Sequence, residues 1–306
     1  MKILVILASG IGNSIMFSPT LKKLRRSFPK AKIDLFTNKV QFVEPFRGSK
    51  LIDNIFYYEG LKTLYKLRKE GYDVSIAAFP SNKWQFNIFS FIVGAKKRIT
   101  HSYKIGKFRT LSFLQNLKIP ADEKIHDVDQ NLNLLKGLGI NYVKDKGLYF
   151  HIGKENKVWA ERFIKKNSSQ RKFIVGIHPG SGPFKFKRVE KEKFIEELNK
   201  IDRKSKSILI FGGPEEAKLK EEYSKIIQDS IIVDSNLKNT AALIGRCKVF
   251  ISNDTGLMHI ATAMKVPKVV AFFKGTNSIR TRPYSKKAKF IILEENRLKY
   301  PFWSTK

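Results

Sequence analysis

Val249-Phe250-Ile251-Ser252-Asn253-Asp254-Thr255-Gly256-Leu257-Met258-His259-Ile260-Ala261 reads as a short buried strand, a tight polar turn and an amphipathic helix. The same unit recurs along the chain. Strand-like apolar runs stand at 2–8, 31–37, 52–57, 73–79 and 97–100, with helical periodicity at 14–27, 61–70, 84–94, 128–138 and 154–167. The pattern restarts with strands at 173–178, 207–211, 231–233, 249–252 and 268–273 and helices at 190–201, 215–227, 239–245 and 256–264. Strands alternating with helices predict parallel sheets covered by helices, the α/β class. The polar stretch Asn167-Ser168-Ser169-Gln170 marks the expected boundary, giving domains 1–167 and 168–306. Two such domains in tandem predict a cleft between them, with ligands beyond the carboxyl ends of the strands.

The 306 residues suit about two domains. With 42% hydrophobic and 28% charged residues, a disordered chain is excluded. Cys247 is the only cysteine, which excludes an internal disulfide framework and a cysteine-cluster metal site. Its apolar setting predicts a buried structural thiol. The five histidines show no ligand spacing, so no metal-binding residue is assigned. No segment reaches the roughly 18–20 apolar residues of a membrane span. The apolar run from Ile3 to Ala8 is short and leads into Gly10-Ile11-Gly12, so it reads as a first strand of a cytoplasmic protein.

Charge is the unusual feature. The net charge is +32, spread as +15 over residues 1–153 and +17 over 154–306. Such a field favours an anionic partner: nucleic acid, a membrane surface or a phosphorylated substrate. Between Asp73 and Asp122 there is no acidic residue, while Lys83, Lys96, Lys97, Arg98, Lys104, Lys107, Arg109 and Lys118 fall there.

Four strand-end motifs carry chemistry. Gly10-Ile11-Gly12-Asn13-Ser14 opens a helix; glycines there permit positive φ and close backbone approach, and a helix N-terminus attracts anions. A tight strand-to-helix turn explains them equally well. In His178-Pro179-Gly180-Ser181-Gly182, backbone amides are joined by Lys185, Lys187 and Arg188, cations able to neutralise phosphate. Phe211-Gly212-Gly213-Pro214-Glu215-Glu216 places glutamates where they complement a helix dipole or grip a ribose diol. Asn253-Asp254-Thr255-Gly256 is the most specific. With Asp or Thr as N-cap, the amides of Thr255, Gly256 and Leu257 form a diphosphate cradle. His259 shares the helix face of Thr255.

In this order the motifs resemble glycosyltransferase family nine, the heptosyltransferase family of lipopolysaccharide core assembly, over nearly the whole chain. The resemblance rests on Gly10, Gly12 and Pro19, on Pro29 with Ala31-Lys32-Ile33-Asp34, and on His178-Pro179-Gly180 with the later lysine. It continues through Gly212-Gly213-Pro214-Glu215-Glu216, Asn253-Asp254-Thr255-Gly256 with His259, Phe273, Gly275-Thr276 and Pro283-Tyr284. It implies the GT-B fold, two Rossmann-like domains facing each other across a cleft, and an inverting, metal-independent glycosyltransferase. The second domain would bind a nucleotide-sugar co-substrate, ADP-heptose in the best-known members, and no other cofactor. Glu216 would hold the ribose, Thr255, Gly256 and Leu257 the diphosphate, and Lys187 or Lys185 a phosphate. Asp254 would contact the donor sugar, with Ser181 and His259 beside it. The first domain, with Gly10, Gly12 and Ser14 at its turn, would bind the acceptor. An anionic glycolipid at the inner face of the cytoplasmic membrane suits the +32 charge, with Phe108 and Phe113 inserting at the interface.

Two positions depart from the family pattern. Asn13 stands where the heptosyltransferases carry the aspartate that serves as general base, and a carboxamide cannot take a proton at neutral pH. Asn13 then orients the acceptor while another group takes the proton, or donor and acceptor differ, or the protein is a catalytically silent nucleotide-sugar binder. Val189 replaces the family's usual tryptophan after the Lys-x pair. A nucleic-acid-binding protein is the other class; the even spread of charge and the absence of a nucleic-acid module speak against it.

Overall fold

A computed structural model describes residues 1–7, 9–103, 107–141, 143–167, 173–201 and 206–294. They form two compact units, the first running to His151 and the second beginning at Ile152.

In the first unit, β1 (Lys2–Ile6), α1 (Ile11–Ser27), β2 (Lys32–Thr37), β3 (Asn54–Tyr57), α2 (Leu61–Lys69) and β4 (Val74–Ala77) are followed by α3 (Trp84–Val93) and β5 (Lys97–Ser102). Then come α4 (Lys107–Thr110), β6 (Leu117–Pro120) and α5 (Asp127–Asn133). The sheet is parallel, in the order β3-β2-β1-β4-β5-β6. Ile3, Leu4, Val5 and Ile6 of the central strand are fully buried, as a strand covered on both faces requires. Asp34, the one acidic residue near a dinucleotide spacing, is buried inside this sheet, where it accepts from Tyr72 Oη at 2.8 Å and Asn54 Nδ2 at 2.9 Å. Burial and the bond to Asp34 push the Tyr72 phenol up.

The second unit contains α6 (Lys154–Asn167), β7 (Phe173–His178), α7 (Lys191–Asn199), β8 (Lys206–Ile210), α8 (Ala217–Ile226) and β9 (Ser230–Ile232). It continues with α9 (Leu237–Ile244), β10 (Val249–Asn253), α10 (Gly256–Ala263), β11 (Lys268–Lys274), α11 (Ser278–Thr281) and β12 (Lys289–Glu294). Its parallel sheet runs β12-β11-β10-β7-β8-β9. Counted within each unit, both sheets have the order 3-2-1-4-5-6. That order places a topological switch point between β1 and β4 and between β7 and β10, the position where open α/β sheets bind ligands.

The α/β class and the principal strands follow the expectation. The boundary does not: the break falls at 151/152 rather than 167/168. Helix α6 belongs to the second unit because it packs against α9, with Asn156 Nδ2 donating to Asn239 Oδ1 at 2.9 Å and Arg246 paired with Glu161. Helix α6 ends at Asn167; residues 168–170 lie outside the described residues, as do residues 295–306, a segment that a chain of this organisation is expected to pack back on the first domain. Strands β6 and β12, at the sheet edges, were not expected. β6 is four residues ending in proline, a pattern without a strand signal.

Candidate functional site

At the switch point of the second unit, three strand ends are laced together. Strand β7 ends in His178, whose ring bridges two motifs: Nε2 lies 3.0 Å from Glu216 Oε2, and Nδ1 lies 3.0 Å from Thr255 Oγ1. Nε2 donates to the carboxylate, and Nδ1 meets the Thr255 hydroxyl. Asn253, at the end of β10, donates from Nδ2 to the Pro179 and Gly180 carbonyls at 2.8 and 3.1 Å and accepts the Val189 amide at 3.3 Å. Val189, the departure from the tryptophan pattern, is a buried member of the core beneath this turn.

Glu216 ends the short 3-10 turn Pro214–Glu216 that leads into α8. Proline at its first position and a glutamate reaching back to the Gly213 amide at 3.3 Å are ordinary helix-start chemistry. The rest of the carboxylate is less ordinary. Oε1 accepts the Ser181 and Gly182 amides, both at 2.8 Å, while Oε2 accepts His178 and Gly213. Burial disfavours this charge, yet the bond from His178 and those from the Gly182 and Gly213 amides hold the carboxyl down at about 2. The resemblance assigns Glu216 to a ribose diol. Here the group is 3% exposed and all four of its acceptor directions are engaged, so its present partner is the Gly180–Gly182 turn. Gly180 is required there: a Cβ on it would stand 2.0 Å from Glu216 Oε1.

Thr255 is the N-cap of α10, with extended backbone and no side-chain cap bond, because its hydroxyl is turned to His178 and Ser252. Thr255, Gly256 and Leu257 are partly exposed, and the first-turn amides of α10 are left without a side-chain acceptor from the cap. A helix end left in this way has the chemistry to hold an anion. Beside it, Lys187 Nζ pairs with Asp254 Oδ2 at 3.0 Å and sits 5.5 Å from the Phe184 ring centre. Lys185 is exposed on the same short 3-10 turn, so the fold brings Lys187 and not Lys185 to the acidic residue. Ser181 is buried and accepts Arg188 Nε at 3.2 Å while donating to the Phe184 carbonyl at 2.9 Å. His259 is buried one turn into α10. Sequence reasoning assigned no role to His178 or Asn253. Both stand within quoted motifs, but only the pairing of β7 with β10 brings His178 to Thr255 and Asn253 to the Pro179 and Gly180 carbonyls.

The first unit carries the Gly10 turn at the end of β1. Gly10 is the N-cap of α1 with φ of 76°, the left-handed region that glycine accepts without strain. Gly12, Asn13 and Ser14 lie inside the first turn. The Asn13 amide donates to the Ser9 carbonyl, and buried Ser14 donates from Oγ to the Gly10 carbonyl at 3.2 Å. Farther along α1, Pro19 removes an amide that would have met the Ile15 carbonyl, and Ser18 Oγ replaces it at 2.6 Å. Cys247 is fully buried and its thiol is pushed up by burial, a structural position.

Among the described residues, no three His, Cys, Asp or Glu side chains gather as a cation-holding group, and no helix is long and apolar enough to cross a membrane.

Comparison with known proteins bears on this geometry. Residues 61–301 match the model of glycosyltransferase family 9 (heptosyltransferase). A lipooligosaccharide heptosyltransferase 2 of Campylobacter jejuni subsp. jejuni serotype O:6 is 28% identical over 308 residues, spanning 96% of this chain and 88% of the relative. Among solved structures, a glycosyl transferase family 9 protein from Veillonella parvula superposes with a TM-score of 0.80 at 21% identity, covering 95% of this chain and 85% of that one. An E. coli ADP-heptose lipopolysaccharide heptosyltransferase II gives a TM-score of 0.76 at 21% identity, covering 95% and 90%. The two superpositions show a common fold, GT-B, with two Rossmann-like units.

Proposed function

The chain belongs to glycosyltransferase family 9, and from that premise we propose that it transfers a heptose from ADP-heptose to an anionic glycolipid acceptor of the lipopolysaccharide core type, at the inner face of the cytoplasmic membrane. The observation that carries this reading is the end of β10: an uncapped helix N-terminus beside the Lys187–Asp254 pair at 3.0 Å. Partly exposed amides and a cation at one point suit a diphosphate, and the likeness to heptosyltransferases, one of them an ADP-heptose enzyme, points to the sugar and the nucleotide.

Transfer from such a donor needs the departing diphosphate stabilised as the glycosidic bond breaks. The amides of Gly256 and Leu257 and the Lys187 ammonium do this without a metal. Asp254, released from Lys187 when the lysine turns to phosphate, takes the donor sugar's hydroxyls. Glu216 and His178 hold the Ser181–Gly182 turn and the Thr255 hydroxyl in place, so the helix end is preorganised before donor arrives. The acceptor hydroxyl attacks the anomeric carbon with inversion. Asn13, its amide already donating to the Ser9 carbonyl, orients the acceptor, and the proton leaves to another base.

A thermal-shift panel of ADP, UDP, GDP and ADP-heptose at low and high salt tests the donor. A nucleotide at about 100 times its Kd stabilises by ~2.7 kcal/mol, a resolvable change in Tm. A shift with ADP and ADP-heptose that persists in salt supports the reading. A shift with UDP or GDP alone replaces the donor. Donor binding without turnover on a core glycolipid acceptor makes the protein a nucleotide-sugar binder.

A further inference from the structure

Helix α3 buries Phe86 and Val93 in the core of the first unit together with the polar Asn87 and Ser90, and it carries apolar residues on its outer stripe as well. Asn87 and Ser90 are fully buried. Asn87 Nδ2 donates to the Thr110 carbonyl at 2.7 Å, Ser90 Oγ donates to Gln115 Oε1 at 2.9 Å, and Gln115 Nε2 donates to the Asn87 carbonyl at 2.7 Å. These bonds fasten α3 to α4 and to the short 3-10 turn Ser112–Leu114. Outside, Trp84 and Phe91 share one helix stripe and are each 48% exposed, with half-buried Ile88 between them. Across the seam, Phe108 is 85% and Phe113 52% exposed, their rings 6.1 Å apart. The outer stripe of a helix that meets only water is polar. Exposed aromatic rings on three adjoining elements, α3, α4 and the Ser112–Leu114 turn, mark a surface that meets a partner.

The charge around the rings identifies the partner. Lys83 and Arg109 are exposed next to Trp84 and Phe108. Arg98 lies 5.7 Å from the Phe91 ring centre, with Nε donating to the Leu114 carbonyl at 3.3 Å. Lys96 is exposed nearby and reaches Asp73, the last carboxylate before residue 122. The face therefore combines bare aromatic rings with flanking cations and has no carboxylate between residues 74 and 121.

We propose that the face formed by α3, α4 and the Ser112–Leu114 turn docks onto an anionic lipid bilayer. Trp84, Phe91, Phe108 and Phe113 enter the head-group layer, and the cations meet lipid phosphates around them. A nucleic-acid track is lined by cations that follow the phosphates; here four exposed aromatic rings stand among the cations, with Arg98 against the Phe91 ring. The proposal extends the glycolipid-acceptor reading, but its test uses neither donor nor acceptor.

The test is flotation of the full chain with phosphatidylglycerol-containing vesicles and with pure phosphatidylcholine vesicles. The variants are Phe108→Ser/Phe113→Ser, Trp84→Ser/Phe91→Ser and Lys83→Glu, each with its Tm and its ADP-induced Tm shift recorded. The wild type is expected to float with the anionic vesicles only. Each aromatic pair variant is expected to lose on the order of tenfold or more in vesicle affinity, and Lys83→Glu a smaller amount that added salt conceals, with the ADP shift intact throughout. The proposal fails if the wild type ignores anionic vesicles, if the aromatic variants float as well as the wild type, or if a DNA duplex displaces the vesicles and the same variants lose DNA. It also fails if sedimentation finds a dimer that those variants dissolve. An absent ADP shift with vesicle binding intact would sink the donor reading and leave the docking face standing.

Discussion

His178 Nε2 and Glu216 Oε2 lie 3.0 Å apart, joining the end of β7 to the turn that opens α8, both groups almost wholly out of water. Through the same imidazole, Glu216 is coupled to Thr255 at the start of α10. A buried carboxylate that is fully hydrogen-bonded stabilises the fold only while it stays ionised.

The first consequence is a pH dependence. The Glu216 carboxyl is lowered from 4.5 to about 2 in the folded chain. A depressed carboxyl contributes its stability above the unfolded value and loses it as pH falls toward the folded one. Unfolding free energy is therefore expected to drop by about 3 kcal/mol on account of this group as pH falls from 4.5 to 2. Glu216→Gln should flatten that limb and lower stability at neutral pH by about 1–3 kcal/mol, because amide hydrogens would face the turn's N–H groups. Denaturant melts across that pH range, wild type against variant, decide it; parallel curves would show that the carboxylate is not the titrating group.

Gly180→Ala tests the same turn from the other side. The added Cβ would stand 2.0 Å from Glu216 Oε1, so the carboxylate has to leave its amides. A loss of about 1–3 kcal/mol is expected, together with a smaller ADP-induced Tm shift because the turn no longer holds Thr255 through His178. Gly182→Ala gives a contrast: its φ is +57° but nothing lies near a Cβ there, so that cost is backbone strain alone. Calorimetry finding Gly180→Ala as stable as wild type would contradict the packing.

Lys187 and Lys185 should separate cleanly. Lys187→Met removes the partner of buried Asp254 and is expected to weaken ADP binding by on the order of tenfold to a hundredfold. Lys185→Met, on the exposed side of the turn, should change it by less than about twofold. Titration calorimetry with ADP reads both. Equal losses would mean that the Lys187–Asp254 pair does not mark the phosphate position.

Asn13→Asp places a carboxylate against the Ser9 carbonyl that now accepts the Asn13 amide. The exchange turns a hydrogen bond into a repulsion, so kcat with a core glycolipid acceptor is expected to fall, by about five- to tenfold for a hydrogen bond worth ~1 kcal/mol. A rise approaching the 10²–10⁴-fold typical of general-base help would instead assign this position to the base.

Much of this architecture was legible in the chain itself. Ile3–Ile6, Phe173–Ile177 and Val249–Ile251 are apolar runs too short for helices and bounded by polar or glycine turns, so they can only be buried strands. Asn253-Asp254-Thr255-Gly256 announced an exposed helix end because local backbone chemistry creates it. Edge strand β6, Leu117–Pro120, is short, alternating and ends in proline, so it carries no strand signal, whereas β12 holds the legible apolar run Phe290-Ile291-Ile292-Leu293. The periodicity of 154–167 gives the helix but not its domain, since its partner α9 lies some eighty residues away in sequence.

The two parallel sheets, the strand-end motifs and the excess of cations follow from the periodicity and chemistry of neighbouring residues. What those residues face is settled by the folded chain. It turned Glu216 inward to His178 and the Ser181–Gly182 amides, set Lys187 rather than Lys185 against Asp254, and fastened α3 to α4 and the Ser112–Leu114 turn while leaving Trp84, Phe91, Phe108 and Phe113 exposed. Those choices depend on the order in which strands pair, which brings together residues tens of positions apart, and no local pattern encodes that order.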